Sequence, residues 1–223
     1  MSRLLPDRIL TDLIESEESY FRKSPNSQIK MFMDRLQELG FQFSVSNQVK
    51  QFMPKHKDII LPLAVQFYQQ SNRENERSYF ISLMRYPCCK SVVPLLLEAF
   101  YRGSDLDDRE FISECIYSIH DKRYVEEYYK IITTEEFAQH RALFILLLGR
   151  WKYQKAANTI ISLLEDPKLR TYAIIALGDY RDRAYEPIFM EYLNCDNAYW
   201  RRYAKRALEK LNRDQRNVSL DNI

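Results

Sequence analysis

Apolar residues recur along this chain at spacings of three and four for most of its length, broken by short polar turns. Ile29, Phe32, Met33, Leu36 and Leu39 make one such face; Pro25, Asn26 and Ser27 precede it and Gly40 follows, which predicts a helix closed by a C-terminal glycine. Asp58 to Gln70 carries a second face of Ile60, Leu63, Ala64 and Phe67, with Pro62 expected in the opening turn. Between them, Phe41 to Gln51 alternates apolar and polar residues and predicts a short extended or coil connection.

Further along, the faces themselves repeat. Arg141 to Gly149 aligns with Arg170 to Gly178 at an offset of 29, and Arg201 to Leu208 follows after 31 more. Ile112 to Ile119 and Arg77 to Met84 are weaker upstream copies, separated from each other by an offset of 35. Each of the first four copies is followed by a second apolar stretch: Val92 to Phe100, Val125 to Ile132, Ala156 to Leu164 and Tyr185 to Leu193. Gly149 and Gly178 are expected to end the first helices in a left-handed conformation, and Pro94 and Pro187 to occupy opening turns of the second. Asp166 is expected to cap the helix that Pro167 opens. The insertion from Gly103 to Asp108 reads as an exposed loop.

A helix pair of about 30 residues cannot cover its own apolar face, so neighbouring pairs must stack. The expected organisation is a helical N-terminal capping region at 1–75, about five repeats at 76–212, and a polar, frayed tail at 213–223, in one continuous domain. An Arg-initiated helix ending in Ala-Leu-Gly, a polar turn and a second helix ending in Leu-Leu-Glu-Asp resembles HEAT-like repeats of the short type named after phycobilisome lyases. Arg170 to Leu193 and Arg141 to Asp166 match it best, and the resemblance covers residues 77 to about 211. It implies an all-α, right-handed α-solenoid of antiparallel helix pairs. The same repeat serves lyase subunits, adaptors, inhibitors and glycosylases, so it points to architecture before function.

Composition narrows the classes. With 46% apolar and 29% charged residues but only 4 glycines and 8 prolines in 223, the chain is neither disordered nor collagen-like and is too poor in turn residues for a β-rich fold. No apolar run reaches membrane length, and Met1 to Asp12 mixes Arg, Pro and Asp with leucine, unlike a secretory leader; a cytoplasmic protein is expected. Cys88, Cys89, Cys115 and Cys195 have no disulfide or zinc spacing, so reduced thiols are expected and no metal. Charge is segregated: residues 1–103 hold 14 basic against 11 acidic residues, 104–140 hold 4 against 10, and 141–223 hold 15 against 10.

No phosphate loop, nucleophile elbow or metalloprotease signature occurs, and no cofactor is expected. The pairs Glu126-Glu127 and Glu135-Glu136 point about 100° apart on a helix and read as solvated faces. His120 reads as a substitute for a turn glycine. Arg77, Arg141, Arg170 and Arg201, placed alike in four copies, read as a structural ladder reaching carboxylates or carbonyls of the neighbouring repeat, and Tyr172 and Tyr203 as packing residues. Arg150, Trp151, Arg181, Arg183 and Tyr185 fall in turns on one edge and are the candidate binding stripe, joined by Trp200 if the superhelix curls that way. The expected function is non-enzymatic: a scaffold that binds another protein through its concave or turn-edge surface, as an adaptor or immunity-type inhibitor, with no membrane contact. The alternative is a DNA-binding HEAT-like enzyme of the alkylpurine DNA glycosylase type.

Overall fold

A computed structural model describes residues 7–103 and 106–220. These residues form thirteen α-helices joined by turns and short 3-10 segments, with no strand among them. They divide into two compact units, Met1–Ile119 and His120–Ile223.

The first unit holds α1 (Asp7–Lys23), α2 (Gln28–Glu38), α3 (Val49–Phe52), α4 (Lys57–Gln70), α5 (Glu74–Leu83), α6 (Val93–Arg102) and α7 (Leu106–Ile119). In α2 the buried residues are Ile29, Phe32 and Leu36, one helical stripe, and Gly40 closes the helix at φ +88° as expected. Its amide donates to the Gln37 carbonyl at 2.9 Å, and the Phe41 amide donates to Leu36 at 3.0 Å. Leu39 falls in that closing turn and is exposed. The opening of α2 is capped from afar, because the Gln28 amide donates to Oε1 of Glu76, a buried carboxylate of α5, at 2.9 Å. Phe32, Phe67 and Phe80 of α2, α4 and α5 meet edge-on or stacked with centroids 5.3 to 6.1 Å apart and form the centre of this core.

Three expectations change here. The connection expected to be extended or coil over Phe41 to Gln51 turns helical from Ser46, through a 3-10 turn at Ser46–Gln48 into α3. Pro62 lies inside α4 and not in its opening turn. The insertion after Gly103 is shorter than predicted: Ser104 and Asp105 lie outside the described residues, and α7 already begins at Leu106. Asp108 lies within α7, and its Oδ2 accepts from the Arg77 guanidinium at 2.9 to 3.0 Å.

The second unit holds α8 (Val125–Thr133), α9 (Ala142–Arg150), α10 (Ala157–Ser162), α11 (Arg170–Tyr180), α12 (Glu186–Leu193) and α13 (Ala198–Leu220). Helices α9, α11 and α13 pack side by side, with α8 against α9, α10 against α11 and α12 against α13, the stacked pairs of an α-solenoid. The expected glycine role fails in this unit: Gly149 and Gly178 are buried inside α9 and α11. They have no side chain because a Cβ at Gly149 would lie 2.5 Å from the Ala176 Cα, and one at Gly178 would lie 2.8 Å from the Ala207 Cβ. The two positions are contact points between successive first helices, and each helix runs two or fewer residues beyond its glycine. Pro187 is in the first turn of α12, and Pro94 in the first turn of α6, as predicted. The Asp166 carboxylate accepts the Lys168 amide at 2.9 Å, closing a turn that leads into α11 at Arg170. Helix α13 runs to Leu220, into the stretch expected to fray; residues 221–223 lie outside the described residues.

The arginine ladder takes the geometry expected of it. In this unit its members donate to carbonyls left unpaired at the end of the preceding second helix: Arg141 to Ile132 at 3.3 Å, Arg170 to Leu164 and Glu165, and Arg201 to Cys195 and Asp196 at 2.7 Å each. Arg141 also reaches the Asp166 carboxylate at 3.5 Å.

Candidate binding surface

The polar turns of the second unit are built to one plan. Each leaves its first helix through a residue with positive φ that is not glycine: His120 at 43°, Lys152 at 52° and Arg181 at 56°. A left-handed non-glycine residue costs about 1–2 kcal/mol, so neighbouring contacts must hold it. The next residue turns the chain into the second helix. Asp121 does so by accepting the Arg123 amide at 3.2 Å, and Asp182 by accepting the Ala184 amide at 2.9 Å. At the equivalent place stands Tyr153, which has no such short acceptor and is held by its neighbours instead.

Those neighbours tie the turns together. The Tyr153 hydroxyl donates to Glu126 Oε1, and Lys155 Nζ reaches the same oxygen at 3.0 Å. From the other side, the Tyr180 hydroxyl donates to the Tyr153 carbonyl at 2.5 Å. Tyr129 meets Tyr153 edge-on at 5.9 Å, and Tyr180 meets Tyr185 edge-on at 5.9 Å. Within the first turn, the Tyr128 hydroxyl donates to the Asp121 carbonyl at 3.1 Å, and Arg123 forks onto the buried Asp121 carboxylate. Electrostatics follow: the hydrogen bonds from Tyr153 and then Lys155 hold the Glu126 carboxyl below its ordinary value, and Glu126 raises Lys155. Burial pushes the Tyr180 phenol up.

The predicted stripe separates into two kinds of residue. Arg150, Arg181 and Arg183 are exposed on this edge, with Arg183 3.3 Å from Glu186. Trp151 and Tyr185 turn inward. The Trp151 ring stacks on the buried Tyr128 at 5.9 Å and 24°, and Tyr185 is 9% exposed beside Tyr180. Trp200 is placed elsewhere. Its indole N–H donates to Thr171 Oγ1 at 3.1 Å and the Arg170 guanidinium lies 4.6 Å above its ring, at the start of α11. The turn edge is at the other end of that helix, about 15 Å away along its axis. Sequence reasoning missed Glu126, Lys152, Tyr153 and Lys155. The available signal was the alignment of Tyr153 with Asp121 and Asp182.

Elsewhere in the unit, Glu126 and Glu127 go to different partners, Glu127 pairing with Lys130 at 2.7 Å. His120 takes the left-handed conformation its turn position called for. Tyr172 and Tyr203 are partly buried. All four cysteines are free thiols; Cys88 and Cys89 have sulfurs 3.9 Å apart, and burial pushes Cys89 up to about 12. Among the described residues no group of three or more His, Cys, Asp or Glu side chains is arranged to hold a metal, and no helix is long and apolar enough to cross a membrane.

Residues 125–216 match a family model described as HEAT repeats, which supports a HEAT-like repeat protein in the stretch where the glycine and arginine contacts recur. No curated protein matches the chain.

Proposed function

We propose that this HEAT-like repeat array is a non-enzymatic scaffold that holds another protein on the turn edge of its second unit, in the cytoplasm. The observation that carries the reading is the tie between successive turns through Glu126, Tyr153, Lys155 and Tyr180. A hydrolase or transferase needs convergent reactive groups, whereas this edge spends its polar groups on fixing backbone and presents Arg150, Lys152, Arg181 and Arg183 outward. Arginines on a rigid ridge lose little further freedom on association, which is the condition under which they dominate interface energy. Trp151 and Tyr185 support the ridge from beneath, and the partner contacts belong to the cations.

The test is site-specific photo-crosslinking in cells. A benzophenone side chain at Lys152 or Arg183 should give one discrete protein adduct, and the same group at the exposed Lys168, near the opposite end of α11, should not. Equal adducts from both ends, or none from the turn edge, would overturn the assignment.

A further inference from the structure

The last helix of the second unit carries a surface that the turn edge does not use. Tyr199, Arg202, Tyr203, Arg206, Lys210 and Arg213 recur at three- and four-residue spacing along α13 and occupy one helical face. The face that carries Ala204, Ala207 and Leu211 is buried against the preceding helices. The stripe is already ordered. The Arg202 guanidinium lies 5.2 Å from the Tyr199 ring and 4.9 Å from the Tyr203 ring, and Arg206 lies 5.7 Å from Tyr203. Arg202 also donates to the Tyr203 hydroxyl at 3.2 Å. Lys210 bonds Asp179 of α11, which places the far end of the stripe beside the last turn of that helix. Arg206 and Arg213 have no carboxylate partner among the described residues.

Between the stripe and α11 runs a groove of about 370 Å³. Its floor is apolar: Ile175, Gly178, Ala207 and the partly buried Tyr203 ring. Its wall is cationic, from Arg206, Lys210 and Arg213, with Glu209 as the acidic member of the lining.

We infer that this groove takes an acidic amphipathic helix of a protein partner, its apolar face on Ile175 and Tyr203 and its carboxylates on Arg206, Lys210 and Arg213. The inference rests on the protein-binding reading and names the chemistry of the partner. Two features select this occupant. Cations four residues apart on α13 rise about 6 Å along its axis, the same spacing that carboxylates have at i and i+4 on a facing helix. An apolar floor beside a cationic wall complements a helix with one apolar and one acidic face.

The experiment titrates the full-length protein into a fluorescein-labelled peptide of roughly 20 residues, long enough to be helical, with leucine on one face and glutamate at i and i+4 on the other. A scrambled peptide of equal composition and a labelled oligothymidine serve as comparisons, with anisotropy as the readout. Saturable binding of the amphipathic peptide, weakened by about tenfold or more in Arg206→Glu/Arg213→Glu and little bound when scrambled, is the expected result. Arg206→Ser/Arg213→Ser gives the same comparison if the reversed charges disturb folding, with circular dichroism and tryptophan emission verifying the fold. Absence of peptide binding, or binding insensitive to both pairs, overturns the groove assignment. Loss of binding in Arg181→Ser/Arg183→Ser alone also overturns it, while leaving the turn-edge reading standing. Tighter binding of oligothymidine through the same arginines, or a dimer in light scattering that Arg206→Glu/Arg213→Glu dissolves, assigns the groove to another occupant and refutes the inference. A failed crosslink at Lys152 and Arg183 with intact peptide binding would remove the turn edge and keep the groove.

Discussion

Gly178→Ala isolates what the glycines do. In an ordinary helix interior this change is favourable by about 1 kcal/mol, because alanine restricts the unfolded chain and has the higher helix propensity. Here the new Cβ would stand 2.8 Å from the Ala207 Cβ and 3.4 Å from its Cα. A methyl–methyl approach that close must open by more than half an ångström toward the usual 3.5–4.0 Å separation of carbon atoms. Overpacking of this kind costs about 1–3 kcal/mol, which offsets the gain in propensity and leaves an expected net loss of up to about 2 kcal/mol. The cycle with Ala207→Gly separates the terms, since removing the opposing Cβ leaves only the ordinary 3.4 Å contact with Cα. The double variant should therefore be more stable than the sum of the single changes predicts, by about 1 kcal/mol or more. Urea denaturation followed by tryptophan emission is the assay, because both tryptophans, Trp151 and Trp200, lie in the second unit. If Gly178→Ala stabilises the protein, or if the two substitutions are additive, the reading of these glycines as helix contact points is refuted.

Three further outcomes follow from the same geometry. Arg170→Ala should lower the melting temperature, at about 1–3 kcal/mol, and shift the emission of Trp200, because it removes the donor to two helix-end carbonyls and the guanidinium over the indole; unchanged stability and emission would deny the ladder its role. Glu76→Ala should destabilise by about 1–3 kcal/mol through loss of the buried cap on α2, with the amide exchange of Gln28 accelerated; unchanged exchange would refute the cap. Tyr128 and Tyr180 are raised above the ordinary phenol value by burial, so the stability they contribute is fully present below about pH 10 and is lost as the pH climbs through their higher folded values. Tyr128→Phe/Tyr180→Phe should accordingly show a flatter fall in melting temperature above about pH 10 than the wild type, and parallel curves would count against burial as the cause.

The helical class, the repeat period and the arginine ladder were legible in the chain because each is a local pattern multiplied by repetition. Apolar spacing decides which face of a helix is buried, and Arg141, Arg170 and Arg201, placed alike in their copies, each meet carbonyls at the end of the preceding second helix. The placement of the cationic edge residues Arg150, Arg181 and Arg183 was legible for the same reason, since a turn between two amphipathic helices has nowhere to go but the surface. Where an aromatic ring points was not. Trp151 and Tyr185 stand in turns, yet Trp151 packs on Tyr128 of the preceding helix pair and Tyr185 on Tyr180 across its own turn, contacts that periodicity does not specify.

The glycines show the same division. Within one helix, Gly149 and Gly178 follow an apolar run and are followed by polar residues, which is also what a helix-ending glycine looks like in sequence. Only the side-by-side packing of α9, α11 and α13 separates the two roles, by bringing Ala176 and Ala207 to within less than 3 Å of where a Cβ would be. Sequence therefore determined the elements and their period, which arise from contacts a few residues apart. Tertiary structure decided which small residues are contact points, because that depends on atoms about thirty residues away in the next repeat, and which aromatic rings turn inward, because that depends on where the neighbouring rings lie.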